Sequence, residues 1–319
     1  MAKYWFTKAR FLNTRPTIAH AIHRTPVLTS RTFDQWIQGN LFFKCENFQK
    51  VGAFKMRGAA HAVARLSARD KKRGVATHSS GNFAQALALA ARQAGIPAWI
   101  VMPEHAPQVK KDAVRDYGGQ IVECGPTLSA REEKLQQVVK ATGATFIHPF
   151  DHQDVILGQG TAAQELIEEV ENIDILIAPV GGGGLVSGTA IAAMHLSPHT
   201  LVYAAEPQGA ADAWQSKKTG RIVPQTHPQT IADGLRTSLG QLTFPIIRDH
   251  VQEVLLVSEA EIKHALRHAM ERLKIVLEPS AAVAIAAVLR YQPLFQNKRT
   301  GIILSGGNIS LPLIPQLIE

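Results

Sequence analysis

Ile173-Asp174-Ile175-Leu176-Ile177-Ala178-Pro179-Val180 runs without interruption into Gly181-Gly182-Gly183-Gly184-Leu185. A short apolar run ending in glycines has the length of a buried strand, and the apolar sequence from Leu185 onward reads as a helix. Four glycines between strand and helix let the backbone approach an anion, which successive N–H groups and the helix N-terminus can bind. In an open α/β sheet, the carboxyl end of a strand is also where ligands sit. The run is not Gly-x-Gly-x-x-Gly and no Walker lysine follows it, which argues against a dinucleotide or a nucleoside triphosphate. The plainer alternative is a flexible tight turn.

The alternation extends outward on both sides. Strands at 74–78, 97–102, 119–123 and 144–147 interleave with helices at 82–94, 108–117 and 127–142. A second block has a helix near 162–170, the strand 173–179, a helix from 185 and a strand at 200–206. Helices at 259–273 and 280–290 then lead into a strand at 301–304, and residues 209–238 read as irregular surface structure. Strand–helix units in series, with short connections, predict an α/β fold of open, twisted, mostly parallel sheets with helices on both faces.

Composition narrows the function classes. The 319 residues are 45% hydrophobic and 19% charged, as in an ordinary globular protein. No apolar run approaches the roughly 18–20 residues of a membrane span, and the opening MAKYWFTKAR has no signal-peptide core. Cys45 and Cys124 cannot build a disulfide framework and suit a reducing cytoplasm. The net charge of +8 is spread over clusters such as Lys71-Lys72-Arg73, Lys110-Lys111 and Lys217-Lys218, with only 6% aromatics. That pattern argues against a nucleic-acid surface and suits a field that gathers anionic small molecules. The 13 histidines form no ligand set; His148 and His152, around a proline, read as ordinary loop histidines.

Three further segments carry chemistry. In Gly52-Ala53-Phe54-Lys55-Met56-Arg57-Gly58 the lysine has apolar and small neighbours, so its amine is expected to be desolvated and neutral, the form that attacks an aldehyde. Ser79-Ser80-Gly81-Asn82, between a strand and a helix, offers hydroxyls, an amide and free N–H groups to a carboxylate; a simple helix cap would look the same. Leu304-Ser305-Gly306-Gly307-Asn308 takes a strand into glycines and by itself is only a turn.

Taken together and in order, these segments resemble the fold-type II pyridoxal-phosphate enzymes, in the branch of serine/threonine dehydratases and serine racemases. The resemblance runs from Thr25-Pro26-Val27 to Asn308 and includes Lys44-Cys45-Glu46-Asn47-Phe48-Gln49, Gly158-Gln159-Gly160-Thr161, Ala204-Ala205-Glu206-Pro207, Ala232-Asp233-Gly234 and Glu278-Pro279-Ser280. Met56 and Arg57 follow the lysine where cysteine synthases usually place an aspartate. The resemblance implies pyridoxal 5'-phosphate carried on Lys55, with Phe54 packed on its ring and Gly181, Gly182, Gly183, Gly184 and Leu185 around its phosphate. It implies Ser305 at the pyridine nitrogen, Asn82 at the ring hydroxyl, and Gly234 and Glu278 as cofactor neighbours. Ser79, Ser80, Gly81 and Asn82 would hold the substrate carboxylate and Arg131 would close over it, with Lys55 and Ser80 as the catalytic pair. A neutral serine at the pyridine nitrogen implies a tempered electron sink, suited to β-elimination.

The implied reaction takes L-serine or L-threonine to a 2-oxo acid and ammonia; a racemase, or a 3-hydroxyaspartate ammonia-lyase, is the alternative. A binding protein that has lost catalysis is a further one, which a visible absorption spectrum would separate. Glu206, the Ala210 carbonyl and Asp212 resemble the family's Mg²⁺ or Ca²⁺ loop. The resemblance further implies a homodimer, a small domain at 74–150, and a larger one from 1–73 plus 151–319 with the cofactor between them. The short stretch after Asn308 is expected to leave no C-terminal regulatory domain. Ala53, Phe83 and Phe150 depart from the usual serine, histidine and (in animal racemases) asparagine, which bears on substrate and activator preference rather than on the cofactor.

Overall fold

The computed structural model describes residues 5–318; residues 1–4 and 319, assigned above to the larger domain, lie outside them. The strands are β1 (Val27–Leu28), β2 (Asn40–Cys45), β3 (Val75–His78), β4 (Ala98–Pro103), β5 (Gln120–Cys124), β6 (Thr145–Phe146), β7 (Ile175–Pro179), β8 (Leu201–Pro207), β9 (Glu253–Val257) and β10 (Arg299–Leu304). They form a six-stranded sheet in the order β1-β2-β10-β7-β8-β9 and a four-stranded sheet in the order β5-β4-β3-β6. Every pairing is parallel except β1 with β2. All five residues of β7 are buried, as expected for a parallel strand covered on both faces. The expected α/β architecture is therefore the observed one.

Several elements differ from the sequence expectation. Strands β1, β2 and β9 and the helix Lys55–Ala64 add to the elements expected. Residues 209–238 are not all irregular surface: Asp212–Thr219 is a helix, and Ala210, Ala213, Ala232 and Leu235 are buried. The helix expected near 162–170 spans Gln153–Glu169, because Gly158 and Gly160 mark helix crossings rather than breaks. A methyl on Gly158 would lie 2.5 Å from the Arg57 carbonyl, and one on Gly160 would lie 2.6 Å from the Gly188 carbonyl. The 259–273 helix is α-helical only over Glu259–His268 and finishes as a π turn over Ala269–Leu273.

The core beneath the four-stranded sheet joins Val75, Ala98 and Ile100 to Ile18, Ile22, Met56 and Ala59. The helix that begins at Lys55 packs between Gln153–Glu169 on one side and Asn82–Gln93 on the other. The segments that leave β3 and β10 meet through Asn82 and Asn308, β7 lies parallel beside β10, and each of the three strands leads into one of the motifs picked out in the sequence.

Candidate active site

The chain entering Lys55 is stitched to the segment that leaves β10. Phe54 N donates to Ser305 O at 3.0 Å, Gly307 N to Gly52 O at 2.9 Å, and the Asn308 side chain to Val51 O at 2.7 Å. Gly52 is required here: its φ is +68°, and a methyl would meet the Asn308 Oδ1 at 2.5 Å. Lys55 Nζ donates to the Pro149 carbonyl at 3.0 Å and lies 5.0 and 5.8 Å from the Phe54 and Phe83 ring centres. Burial lowers its pKa to about 8 against the opposing pull of Glu278, so the amine is neutral far more often than an exposed lysine.

Two residues on, Arg57 anchors the same helix inside the protein. Its guanidinium meets Glu46 through Nε (2.6 Å) and Nη2 (2.8 Å), and Glu165 through Nη1 and Nη2 (both 2.8 Å). Lys44 Nζ pairs with Glu165 at 2.8 Å, and Thr25 Oγ1 donates to Glu46 at 2.6 Å. All four charged side chains are buried and their charges cancel. Such a cluster is tolerated in low dielectric only while it stays complete.

The four glycines after β7 form a cradle with no room for side chains. A methyl on Gly182 would lie 2.4 Å from the Phe150 ring, one on Gly183 (φ +88°) 2.9 Å from Thr243, and one on Gly181 3.0 Å from the Gly234 carbonyl. At Gly184 a methyl would lie 2.5 Å from Gln159 Oε1. The buried Gln159 amide has no hydrogen-bond partner at either end among the described residues, so an unsatisfied polar group sits beside the cradle. Gly234 N donates to Ser280 Oγ at 3.0 Å, which fixes the wall opposite Gly181. Leu185 is buried in the core behind the cradle.

Ser79, Ser80, Gly81 and Asn82 are half-buried at the N-terminus of Asn82–Gln93. Asn82 Nδ2 donates to both Glu278 oxygens at 3.1 Å, and its Oδ1 accepts from Asn308 at 2.9 Å. The loop after β3 is thereby tied to the segment after β10. Burial raises Glu278 to about 7, a rise that the Asn82 hydrogen bond restrains. Ser305 is buried at the end of β10. Arg131 Nε donates to Thr127 O at 3.4 Å, at the start of its own helix, and its charge is felt at His78, the residue before the serine loop.

Glu206, near the end of β8, and Asp212, just after it, are both buried. Glu206 accepts from the amides of Ala213 (2.8 Å) and Trp214 (2.9 Å), and Asp212 accepts from Leu239 N at 3.3 Å. Burial and then Asp212 push Glu206 well above the usual carboxylate range, and burial raises Asp212 to about 7. Among the described residues no group of three or more His, Cys, Asp or Glu is placed to hold a metal. Two carboxylates and the Ala210 carbonyl on the adjoining turn are what this site offers.

The sequence reading did not assign roles to Pro149, Asn308, Asp151 or Thr243, whose partners lie far away in the chain, or to Gln159, whose amide is buried beside the cradle. The loop histidines behave as expected of loop residues. His148 Nδ1 accepts from Asp151 N at 2.9 Å and His152 Nδ1 from Asp154 N at 3.2 Å. Burial, then neighbouring positive charge, lowers His148 to about 4.

Comparison with known proteins supplies the chemistry this arrangement serves. A family described as "Pyridoxal-phosphate dependent enzyme" matches residues 18–306. The serine racemase of Dictyostelium discoideum is 48% identical, covering 93% of each chain. The beta-hydroxyaspartate dehydratase of Paracoccus denitrificans (strain Pd 1222) is 48% identical, covering 92% of this chain and 93% of its own. The structure of maize serine racemase superposes with a TM-score of 0.95 at 43% identity, covering 98% of this chain and 97% of that one. The residues fit the cofactor: a glycine cradle at a strand's carboxyl end, an orphaned amide beside it, and a desolvated lysine reached from the same cleft. The chain belongs to the pyridoxal-phosphate dependent enzymes.

Proposed function

We propose that this protein eliminates water from a small β-hydroxy amino acid, giving an enamine that hydrolyses to a 2-oxo acid and ammonia. The observation that carries the reading is the Lys55 amine, lowered to about 8, close to the ring of Phe83, which directly follows the Ser79–Asn82 loop. Bound pyridoxal phosphate supplies an electron sink that acidifies the substrate Cα–H. Lys55 Nζ, in its neutral form and oriented by the Pro149 carbonyl, takes that proton. The serine loop and the N-terminus of Asn82–Gln93 hold the substrate carboxylate. The relatives named above favour serine and β-hydroxyaspartate over threonine as substrates.

The reading includes a divalent cation at Glu206, Ala210 and Asp212, supported by two buried carboxylates with no ion-pair partner among the described residues. It also includes residues 74–150 closing as a smaller lobe on the remainder, supported by the Lys110–Asp233 ion pair between them. A homodimer and a cytoplasmic location complete it; no helix among the described residues is long and apolar enough to cross a membrane.

Racemisation is the second reading, favoured by the racemase relatives and by Ser80. Inverting Cα needs a second proton-handling group on the face opposite Lys55. Incubation with L- and D-serine, L-threonine and 3-hydroxyaspartate, reading 2-oxo acid, ammonia and chirality together, tests both. Absence of 2-oxo acid from every substrate refutes the lyase. Ser80→Ala should remove racemisation and D-serine turnover while L-serine elimination persists; equal loss of all three refutes the second-base role.

A further inference from the structure

The segment Pro149-Phe150-Asp151 touches both halves of the cofactor site. Pro149 O accepts from Lys55 Nζ at 3.0 Å. The Phe150 ring fills the space beside Gly182, and its backbone lies beside Gly184. Asp151 has no role in the reading above, yet its carboxylate accepts from the amides of Gln241 (2.9 Å), Leu242 (2.8 Å) and Thr243 (3.2 Å). These amides open the helix Thr243–His250, whose own N-cap residue, Leu242, supplies no side-chain cap. The cap comes instead from 90 residues earlier in the chain, where a carboxylate favours the positive end of the helix. Gly240 makes the approach possible, since a methyl there would meet the Asp151 side chain at 2.2 Å. Capped in this way, Thr243 donates its hydroxyl to the Gly182 carbonyl at 2.8 Å, inside the cradle.

We propose that Asp151 is a positioning residue: through the amides of 241–243 and the Thr243 hydroxyl it sets the cradle, while its own turn sets Lys55. His148 fixes that turn by accepting from Asp151 N. A shift at Asp151 would therefore move the phosphate end and the lysine end of the site together. The inference rests on membership of the cofactor family and is independent of which amino acid is the substrate.

The test compares cofactor dissociation constants of the holoenzymes, by dialysis and by the visible band, with melting temperatures. Asp151→Ala should weaken cofactor retention about tenfold or more, and Asp151→Asn, which keeps an acceptor, should fall between it and wild type. Thr243→Val should weaken retention by a similar factor. The double variant should be only slightly worse than either alone, because both changes break one relay. Ser258→Ala is the control: it removes a helix cap whose hydroxyl bonds to Glu261 and, among the described residues, to no group of the relay. It should lower melting without changing retention. If Asp151→Ala melts like Ser258→Ala and retains cofactor within about twofold of wild type, Asp151 is only a cap and the proposal fails. Should Asp151→Ala not fold, Thr243→Val decides, since unchanged retention there equally overturns the relay.

Discussion

Replacing Arg57 with methionine tests the electrostatic reasoning about the lysine helix. The four buried charges, Arg57 and Lys44 against Glu46 and Glu165, sum to zero, and the substitution leaves a net buried negative charge. Removing one partner of a buried pair costs about 3–5 kcal/mol. For a chain of this size that lowers melting by about 5–7 °C, read in a thermal scan beside a urea titration. The pH dependence gives a second check. In the native protein burial pushes Glu165 up, but Arg57 and Lys44 outweigh it and hold its pKa low. That stabilisation is present above the unfolded pKa of about 4.3 and lost as pH falls through the lower folded value. In the variant the uncompensated carboxylate is raised, so its penalty is absent below about 4.3 and grows as pH rises through the folded value. The first effect acts only below about pH 4.3, so between pH 5 and pH 8 the variant's raised carboxylate alone sets the trend, and the difference between Arg57→Met and wild type should shrink from pH 8 to pH 5. Adding Glu165→Gln leaves Lys44 against Glu46 and should recover about 1–2 kcal/mol. A variant within about 1 kcal/mol of wild type, or a gap indifferent to pH, would refute the reasoning.

Lys55→Ala should abolish turnover and the visible band, with borohydride labelling of the wild-type holoenzyme falling on Lys55 alone; a label on another lysine overturns the assignment. Uptake of pyridoxal phosphate by the wild-type apoprotein should accelerate as pH rises through about 8, because burial lowers the Lys55 pKa and exposes the neutral amine there; a midpoint near the ordinary lysine value would contradict it. Gly182→Ala forces a methyl against the Phe150 ring and should weaken cofactor binding about tenfold or more by dialysis. Mg²⁺ or Ca²⁺ should raise the melting temperature of chelator-treated protein by mass action and have no such effect on Glu206→Ala; unchanged melting in wild type would leave the two carboxylates without a cation.

How much of this was legible in the sequence follows from the range of the interactions involved. Strand β7 and its glycines could be read because burial on both faces makes a parallel strand a continuous apolar run, a local signal. Strand β2 could not, because Lys44 interrupts its apolar run and is neutralised by Glu165, far along the chain. The extent of Gln153–Glu169 was hidden for a related reason. Gly158 and Gly160 weaken a helix locally, and only the approach of the Arg57 and Gly188 backbones explains them. The site divides along the same line. Lys55, the cradle and the serine loop each carry a local signature, and their order identified the family without any contact being known. Asp151 and Thr243 carry none, because what they do depends on partners that chain folding brings to them, and Gln159 is singled out only by where folding buries it. Asn82 shows the boundary within one side chain: its sequence context placed it at the cleft, but its bonds to Glu278 and Asn308 required the three-dimensional fold. Sequence motifs therefore locate the groups that do chemistry, while the groups that hold them in register emerge only when the strands' carboxyl ends have been brought together.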